Sequence, residues 1–257
     1  MEHTRKLHTW GGFLLLLVLL VTFLIWNLLA GSVRLPASEI WAVLHGGGDL
    51  TQRRILLNIR LPRLLAAMIL GGALSVSGFL LQTFFHNPIA GPFVLGISSG
   101  AKFTVAVTMI LLLSRGVTSS SAALIAAAFV GAMLSMGFVL LISRRVRRMS
   151  LLVVCGVMIG YICSAVTDIV VAFAQDSNIV NLHNWSMGSF SGMTWGNVRA
   201  AALVVLPALA AAFCLSKPMS AYQMGEAYAQ SVGVNVKRFS RALVLLSSLL
   251  AACVTAF

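Results

Sequence analysis

Seven apolar runs, at residues 11–30, 64–85, 93–113, 122–142, 151–174, 200–215 and 242–257, leave this chain one kind of environment. Each is long enough, or nearly so, to cross a hydrocarbon core of about 30 Å at about 1.5 Å per helical residue. Lipid offers no partner to a backbone N–H or C=O, and a helix satisfies both within its own segment. The expected fold is therefore all-α: a polytopic membrane helix bundle of seven spans, one transmembrane domain over residues 1–257. With 59% hydrophobic and 9% charged residues, a soluble globule could not cover itself with polar surface. The first run follows Arg5 and Lys6 as a secretory leader would. It exceeds the roughly 7 to 15 residues of a leader's apolar core and precedes no small-residue cleavage site, so it reads as an uncleaved first span.

The basic residues set the orientation. If the spans alternate, Arg5, Lys6, Arg144, Arg145, Arg147, Arg148, Lys217, Lys237, Arg238 and Arg241 share one side, and Arg34, Arg53, Arg54, Arg60, Arg63, Arg115 and Arg199 the other. Ten against seven places the first side, with the N-terminus, in the cytoplasm. The net charge of +12 belongs to these span ends, where Lys and Arg meet anionic headgroups. No basic stripe or base-stacking platform accompanies it, which excludes nucleic-acid binding. Cys155, Cys163, Cys214 and Cys253 all lie in apolar runs without metal-ligand or CxxC spacing and read as small buried hydrophobes.

Residues 216–241, SKPMSAYQMGEAYAQSVGVNVKRFSR, interrupt the apolar pattern on the cytoplasmic side. Ser220 with Gln223 has the S-x-x-Q form of a capping box, which predicts a helix from Ala221. Gly233 supplies a left-handed stop, and Asn235 caps a second short helix carrying Lys237, Arg238 and Arg241. Residues 86–92, HNPIAGP, force a turn through two prolines. The small residues Gly71, Gly72, Ala73, Ser75, Ser77 and Gly78 mark a helix that packs closely on its neighbours. Gln82 and Asn27 read as helix-to-helix hydrogen bonders. Lys102 and Asp168 are charges within spans at different depths, too far apart for a simple ion pair. Residues 175–198, glycine-rich with Trp185, Phe190 and Trp195, fit an interfacial loop and an external gate or docking surface equally well.

No HExxH, GxSxG or GxxxxGK[ST] is present, so the chain is not read as an enzyme and does not hydrolyse ATP by itself. Two transport classes remain: a permease driven by a separate ATPase, and an ion-coupled secondary transporter with only Lys102 and Asp168 as coupling groups. A cytoplasmic docking helix distinguishes the first from the second.

Residues 60–100 closely resemble the signature of FecCD-type permeases of bacterial ABC importers for iron siderophores, haem and cobalamin. Arg60, Leu61, Pro62 and Arg63 match its R-L-P-R block. Gln82, Phe85, Asn87, Pro88, Ala90, Pro92, Leu95, Gly96, Ser98 and Gly100 match its Q-x-x-F-x-N-P-L-A-x-P-x-x-L-G-x-S-x-G turn, with Ile89 for the leucine. Gly225, Glu226, Ala229, Gly233 and Val234 match its G-x-x-x-A-x-x-x-G-V coupling segment, and residues 185–190 resemble its W-x-x-G-S stretch. The resemblance implies a type II permease fold of about ten spans, of which this chain carries seven, so that roughly three and a G-P-I-x-F-x-G-L-x-x-P-H motif lie beyond Phe257. It implies ATPase coupling through Ser220, Tyr222, Gly225, Glu226, Tyr228, Ala229, Gly233 and Val234. It places the pathway or gate at Gln82, Asn87, Pro88, Gly96, Ser98, Ser99 and Gly100, with Lys102 departing from the small residue usual there. The implied partners are an ABC ATPase holding ATP and Mg, an external substrate-binding protein and a second permease subunit in the bacterial inner membrane. Arg53 and Arg54 would meet acidic groups of the binding protein, and this chain itself would bind no cofactor or metal.

Overall fold

The computed structural model describes residues 2–31, 33–113, 121–143, 149–174 and 176–257. Arg115, Arg144, Arg145, Arg147, Arg148 and Gln175, with the side chains of Arg5 and Lys6, lie outside the described residues. The elements are α1 (Glu2–Leu29), α2 (Ala37–Leu44), α3 (Leu50–Arg53), a π-helical segment (Arg54–Arg60), α4 (Leu61–Phe85), a 3-10 turn (Pro92–Leu95), α5 (Ile97–Leu113), α6 (Ser121–Ser143) and α7 (Met149–Ala172). They continue with α8 (Asp176–Met187), a second 3-10 turn (Phe190–Gly192), α9 (Trp195–Cys214), α10 (Ser216–Gln223), α11 (Glu226–Ser231) and α12 (Val236–Ala256).

Six stretches are long and apolar enough to cross a membrane: His8–Leu29, Leu50–Phe85, Ala122–Ile142, Leu151–Ala172, Trp195–Cys214 and Val236–Ala256. The run at 93–113, expected as a seventh, is a shorter apolar helix. Pro92 opens a 3-10 turn and Gly96 takes a left-handed conformation, so α5 starts only at Ile97. The polar stretch expected as a loop at 175–198 is largely helical. Residues 176–187 contain neither proline nor glycine, and Trp195 already opens α9.

Backbone packing groups the chain into two compact units, Met1–Met68 with Phe190–Val198, and Ile69–Ser189 with Arg199–Phe257. In the first, Leu35, Ile40, Val43 and Leu56 form a small core to which Leu28, Leu29, Ile55 and Leu57 add. Asp49 and Gln52 form a capping box at α3: the Asp49 carboxylate accepts from the Leu50 N–H at 2.8 Å, and Gln52 Oε1 accepts from the Asp49 N–H at 3.2 Å. Gln52 then donates to Glu39 at 2.8 Å, joining α2 to α3. The π-helical segment departs from the i to i+4 ladder, and the Leu57 carbonyl accepts from the Trp195 indole N–H at 2.9 Å.

The second unit is held by small residues. A Cβ on Gly131 of α6 would collide with the Gly100 carbonyl and Thr104 Oγ1 of α5, and one on Gly96 would lie 2.9 Å from the Gly156 carbonyl of α7. Thr104 Oγ1 donates to the Ala127 carbonyl at 2.7 Å, tying α5 to α6 where they run closest. α12 packs on α5 and α6 through a face that includes Leu243, Leu250 and Ala251. Ser77 and Ser247, both fully buried, exchange hydrogen bonds between α4 and α12. Ser77 Oγ donates to the Ser247 carbonyl at 2.8 Å, Ser247 Oγ donates to the Ser77 carbonyl at 2.9 Å, and the hydroxyl oxygens are 2.9 Å apart.

Close packing of this kind has a testable contrast on one helix. Gly131→Ala should destabilise the protein by about 1–3 kcal/mol through overpacking. Gly137→Ala, with nothing within 4 Å of the added carbon, should be neutral or slightly stabilising. Thermal unfolding of both variants in detergent measures the difference.

Candidate functional site

Pro218 decides how the polar segment begins. Its missing N–H is harmless only in the first turn of a helix, and α10 accordingly starts at Ser216 with Pro218 in that turn. Ser220 is therefore inside the helix, donating to the Ser216 carbonyl at 3.1 Å, and is not the expected cap. Gln223 closes α10 instead of supporting its start, and its amide donates to Thr83 Oγ1 at 3.4 Å. Gly225 follows at φ +121°, ψ 149°, a region that side chains with a Cβ avoid, and redirects the chain into α11. Gly233, at φ +88°, ends α11 as expected: the Gly233 N–H donates to the Gln230 carbonyl at 3.0 Å and the Val234 N–H to the Ala229 carbonyl at 2.9 Å. Asn235 also caps as expected, accepting from the Arg238 N–H at 3.1 Å. The helix it opens is not short. Nothing between Val236 and Ala256 breaks it, so the basic turn and the last span are one helix, α12.

Tyr222 anchors this junction. It is fully buried, with its ring centroid 4.8 Å from that of His86 and 5.3 Å from that of Phe239. Its hydroxyl donates to Glu226 Oε1 at 3.2 Å. Burial pushes the phenol up to about 12, and the neighbouring Glu226 carboxylate adds to the rise. Ala229 is buried as well, while Ser220, Glu226 and Tyr228 are exposed. Met224 and Val232, 71% and 53% exposed, follow α10 and α11 respectively and add exposed apolar surface to that of Tyr228. Both were missed in the sequence.

His86 joins the proline turn to α10. Its φ of +49° puts it in the left-handed region at the end of α4. The His86 N–H donates to the Thr83 carbonyl at 3.3 Å and the Asn87 N–H to the Gln82 carbonyl at 3.2 Å, the pattern by which a glycine usually ends a helix. The imidazole Nε2 lies 3.3 Å from the Tyr222 carbonyl. Gln82, expected to bond another helix, donates to the Pro88 carbonyl at 3.0 Å, and Asn87 Oδ1 accepts from the Ile89 N–H at 2.9 Å. Gln82, Asn87 and Pro88 therefore build a turn whose first residue, His86, meets α10. Gly96 and Gly100 are packing points of α5, and Ser98, Ser99 and Lys102 on that helix are half-buried. Asp168 is exposed on α7.

The arginines of the first unit divide by burial. Arg53 and Arg54 are exposed at the end of α3 and the start of the π-helical segment. Arg60 is 7% exposed and donates to the Leu28 and Leu29 carbonyls, free C-terminal acceptors of α1, and to the Val33 carbonyl beyond the helix. Arg63 donates to the Ser191 carbonyl at 2.7 Å. Together with Asn27, Gly31, Ile59 and Phe190 the last two line a cavity of about 430 Å³. Among the described residues no group of three His, Cys, Asp or Glu side chains could hold a metal ion.

Residues 17–257 match the FecCD transport family. The chain belongs to that family. It is 30% identical to the hemin transport system permease protein HmuU of Yersinia pestis, an alignment that covers 91% of this chain and 70% of the relative. It is 35% identical to the vitamin B12 import system permease protein BtuC of Yersinia enterocolitica, covering 90% and 67%. Among solved structures it is similar to an inward-facing metal-chelate type ABC transporter, with a TM-score of 0.81, 25% identity, and coverage of 94% of this chain and 73% of that one. This FecCD-family chain is a multi-pass membrane protein.

The raised phenol of Tyr222 predicts a pH dependence. The folded state keeps its proton where the unfolded chain, titrating near 10, has lost it, so Tyr222's contribution is complete below pH 10 and is lost as pH rises toward 12. Phenolate absorbance should show one late-titrating tyrosine that Tyr222→Phe removes, and that variant should lose less stability between pH 10 and 12 than the parent.

Proposed function

We propose that this FecCD-family chain is the transmembrane permease subunit of an ATP-driven importer for a metal chelate of the siderophore, haem or cobalamin type. The observation that carries the reading is α10 and α11: an exposed helix pair keyed into the bundle by buried Tyr222, with Met224, Tyr228 and Val232 left facing outward. A proton-coupled carrier has no use for such an appendage. The hemin and vitamin B12 permeases among the relatives, and the metal-chelate transporter among the structures, support the same class of cargo.

In this reading the chain sits in the bacterial inner membrane with its N-terminus in the cytoplasm and pairs with a second permease subunit. A separate ABC ATPase, holding ATP and Mg, grips α10 and α11. Ser220, Glu226 and Tyr228 contact it directly, and Gly225, Ala229, Gly233 and Val234 set the backbone that presents them. ATP binding moves this lever and biases the bundle between outward-open and inward-open states. Gln82, Asn87 and Pro88 form the turn next to the lever, and Gly96, Ser98, Ser99 and Gly100 line the helix that follows it toward the pathway. Arg53 and Arg54 attract acidic groups on the substrate-binding protein. This chain contributes no catalytic group or cofactor.

Reconstitution with an ABC ATPase and a binding protein tests the reading. Uptake of haemin or cobalamin into proteoliposomes should require ATP and persist when the proton gradient is collapsed; uptake that stops with the gradient and ignores ATP would establish the ion-coupled alternative. Gly233→Trp should leave basal ATP hydrolysis while lowering uptake about tenfold or more, because the left-handed turn that positions α11 is lost. Arg53→Glu with Arg54→Glu should slow association of the binding protein about tenfold at low salt, with the difference shrinking as ionic strength rises.

A further inference from the structure

Two contacts at different depths join α4 to α12, directly or through the coupling segment. At one end, His86 closes α4 and packs on Tyr222, whose other side meets Phe239 in the second turn of α12. The second contact is the reciprocal serine pair. Ser77 lies about 12 Å along α4 from Phe85, and Ser247 about 16 Å along α12 from Val236, at about 1.5 Å per residue. Four polar atoms are satisfied there by one another, in a region where lipid could satisfy none of them.

One contact between two helices is a pivot. Two, at separate depths, fix both their spacing and their relative rotation. We infer that α4, α10 and α12 move as one body during transport, with His86, Ser77 and Ser247 as the positioning residues that hold them together. The inference rests on the permease reading above. It assigns the proline turn a further role: residues 86–92 form the socket through which a push on α10 reaches α4, while Phe239 carries the same push into α12. Separation of α4 from α12 would leave the serine hydroxyls and the Tyr222 ring unpartnered inside the protein, which resists any motion that parts these helices.

A reversible cross-link tests this. Ser77→Cys with Ser247→Cys is made in a background with Cys155, Cys163, Cys214 and Cys253 replaced by alanine, then reconstituted with the ATPase and binding protein. The oxidised complex should keep ATP-driven uptake of haemin or cobalamin within about twofold of the same complex after reduction. A tenfold or greater loss on oxidation, reversed by dithiothreitol, would overturn the inference. Since this pair of variants could fold poorly, the native serines are tested separately. Spin labels at Ile89→Cys in the turn and Lys237→Cys at the start of α12 should keep one separation in the nucleotide-free and ATP-trapped states; a shift in that distance overturns the inference. His86→Asn, which keeps a left-handed helix end but removes the ring, should lower uptake per ATP hydrolysed about fivefold, and an unchanged ratio rejects His86 as a positioning residue. Failure of the permease reading would look different: the complex with native serines and His86 would show no ATP-dependent uptake at all.

Discussion

Lipid offers no hydrogen-bond partner, and at several described points where this chain leaves the α-helical ladder another of its own groups takes over. Arg60 is withdrawn from solvent to satisfy carbonyls at the end of α1 and at Val33. Trp195 reaches the Leu57 carbonyl in the π-helical segment. Gln82 serves the Pro88 carbonyl, where two prolines have removed backbone donors from the turn. His86, Gly225 and Gly233 each accept a positive φ so that a helix can stop or turn with its terminal groups engaged. The irregular stretches are also where the family signature falls.

Packing in the second unit relies on closeness more than on bulk. Apolar side chains gain little from one another when lipid is the alternative, and association depends on backbones approaching and on hydrogen bonds across the gap. Gly100 against Gly131 and Gly96 against Gly156 and Gly160 supply the approach, and Thr104 and the Ser77–Ser247 pair supply the bonds. Each such bond contributes only about 0.6 kcal/mol on average. Its value lies in register: displacing Ser247 from Ser77 breaks two reciprocal bonds at once.

The apolar runs announced the all-α membrane fold because length and hydropathy depend on local sequence alone. Three spans fall close to their expected limits, while those ending at Phe85, Cys214 and Ala256 begin 14, five and six residues earlier than expected, the last because the polar first turns of α12 do not interrupt the helix. The run at 93–113 failed as a full span for a local reason the sequence did contain, Pro92 and Gly96 at its start. The helix start at 216–241 was misjudged because Ser220 and Gln223 fit a capping pattern while Pro218 sets a stronger constraint. The site itself was only half legible. Gly233 and Asn235 act through neighbours close in sequence, so their roles could be read directly. The contacts of Tyr222 with His86, of Gln223 with Thr83 and of Ser77 with Ser247 join residues more than a hundred positions apart, and no periodicity within a run encodes them.

A lever must be stiffer than the equilibrium it drives. Moving a two-state bundle from mostly one state to mostly the other takes about 5.5 kcal/mol of differential free energy, and the joint between lever and bundle has to bear it. Removing a buried aromatic ring costs about 3–5 kcal/mol, which sets the scale for Tyr222 between His86 and Phe239. The Asn235 cap adds roughly 1 kcal/mol. The glycine-ended turn at Gly233 and the hydrogen bonds of Gln223 and the Tyr222 hydroxyl supplement these, so the joint matches the load without a large margin. On the proposed coupling role, the single buried tyrosine is the component whose loss would turn coupled transport into idle hydrolysis, while the exposed Met224, Tyr228 and Val232 would face the partner.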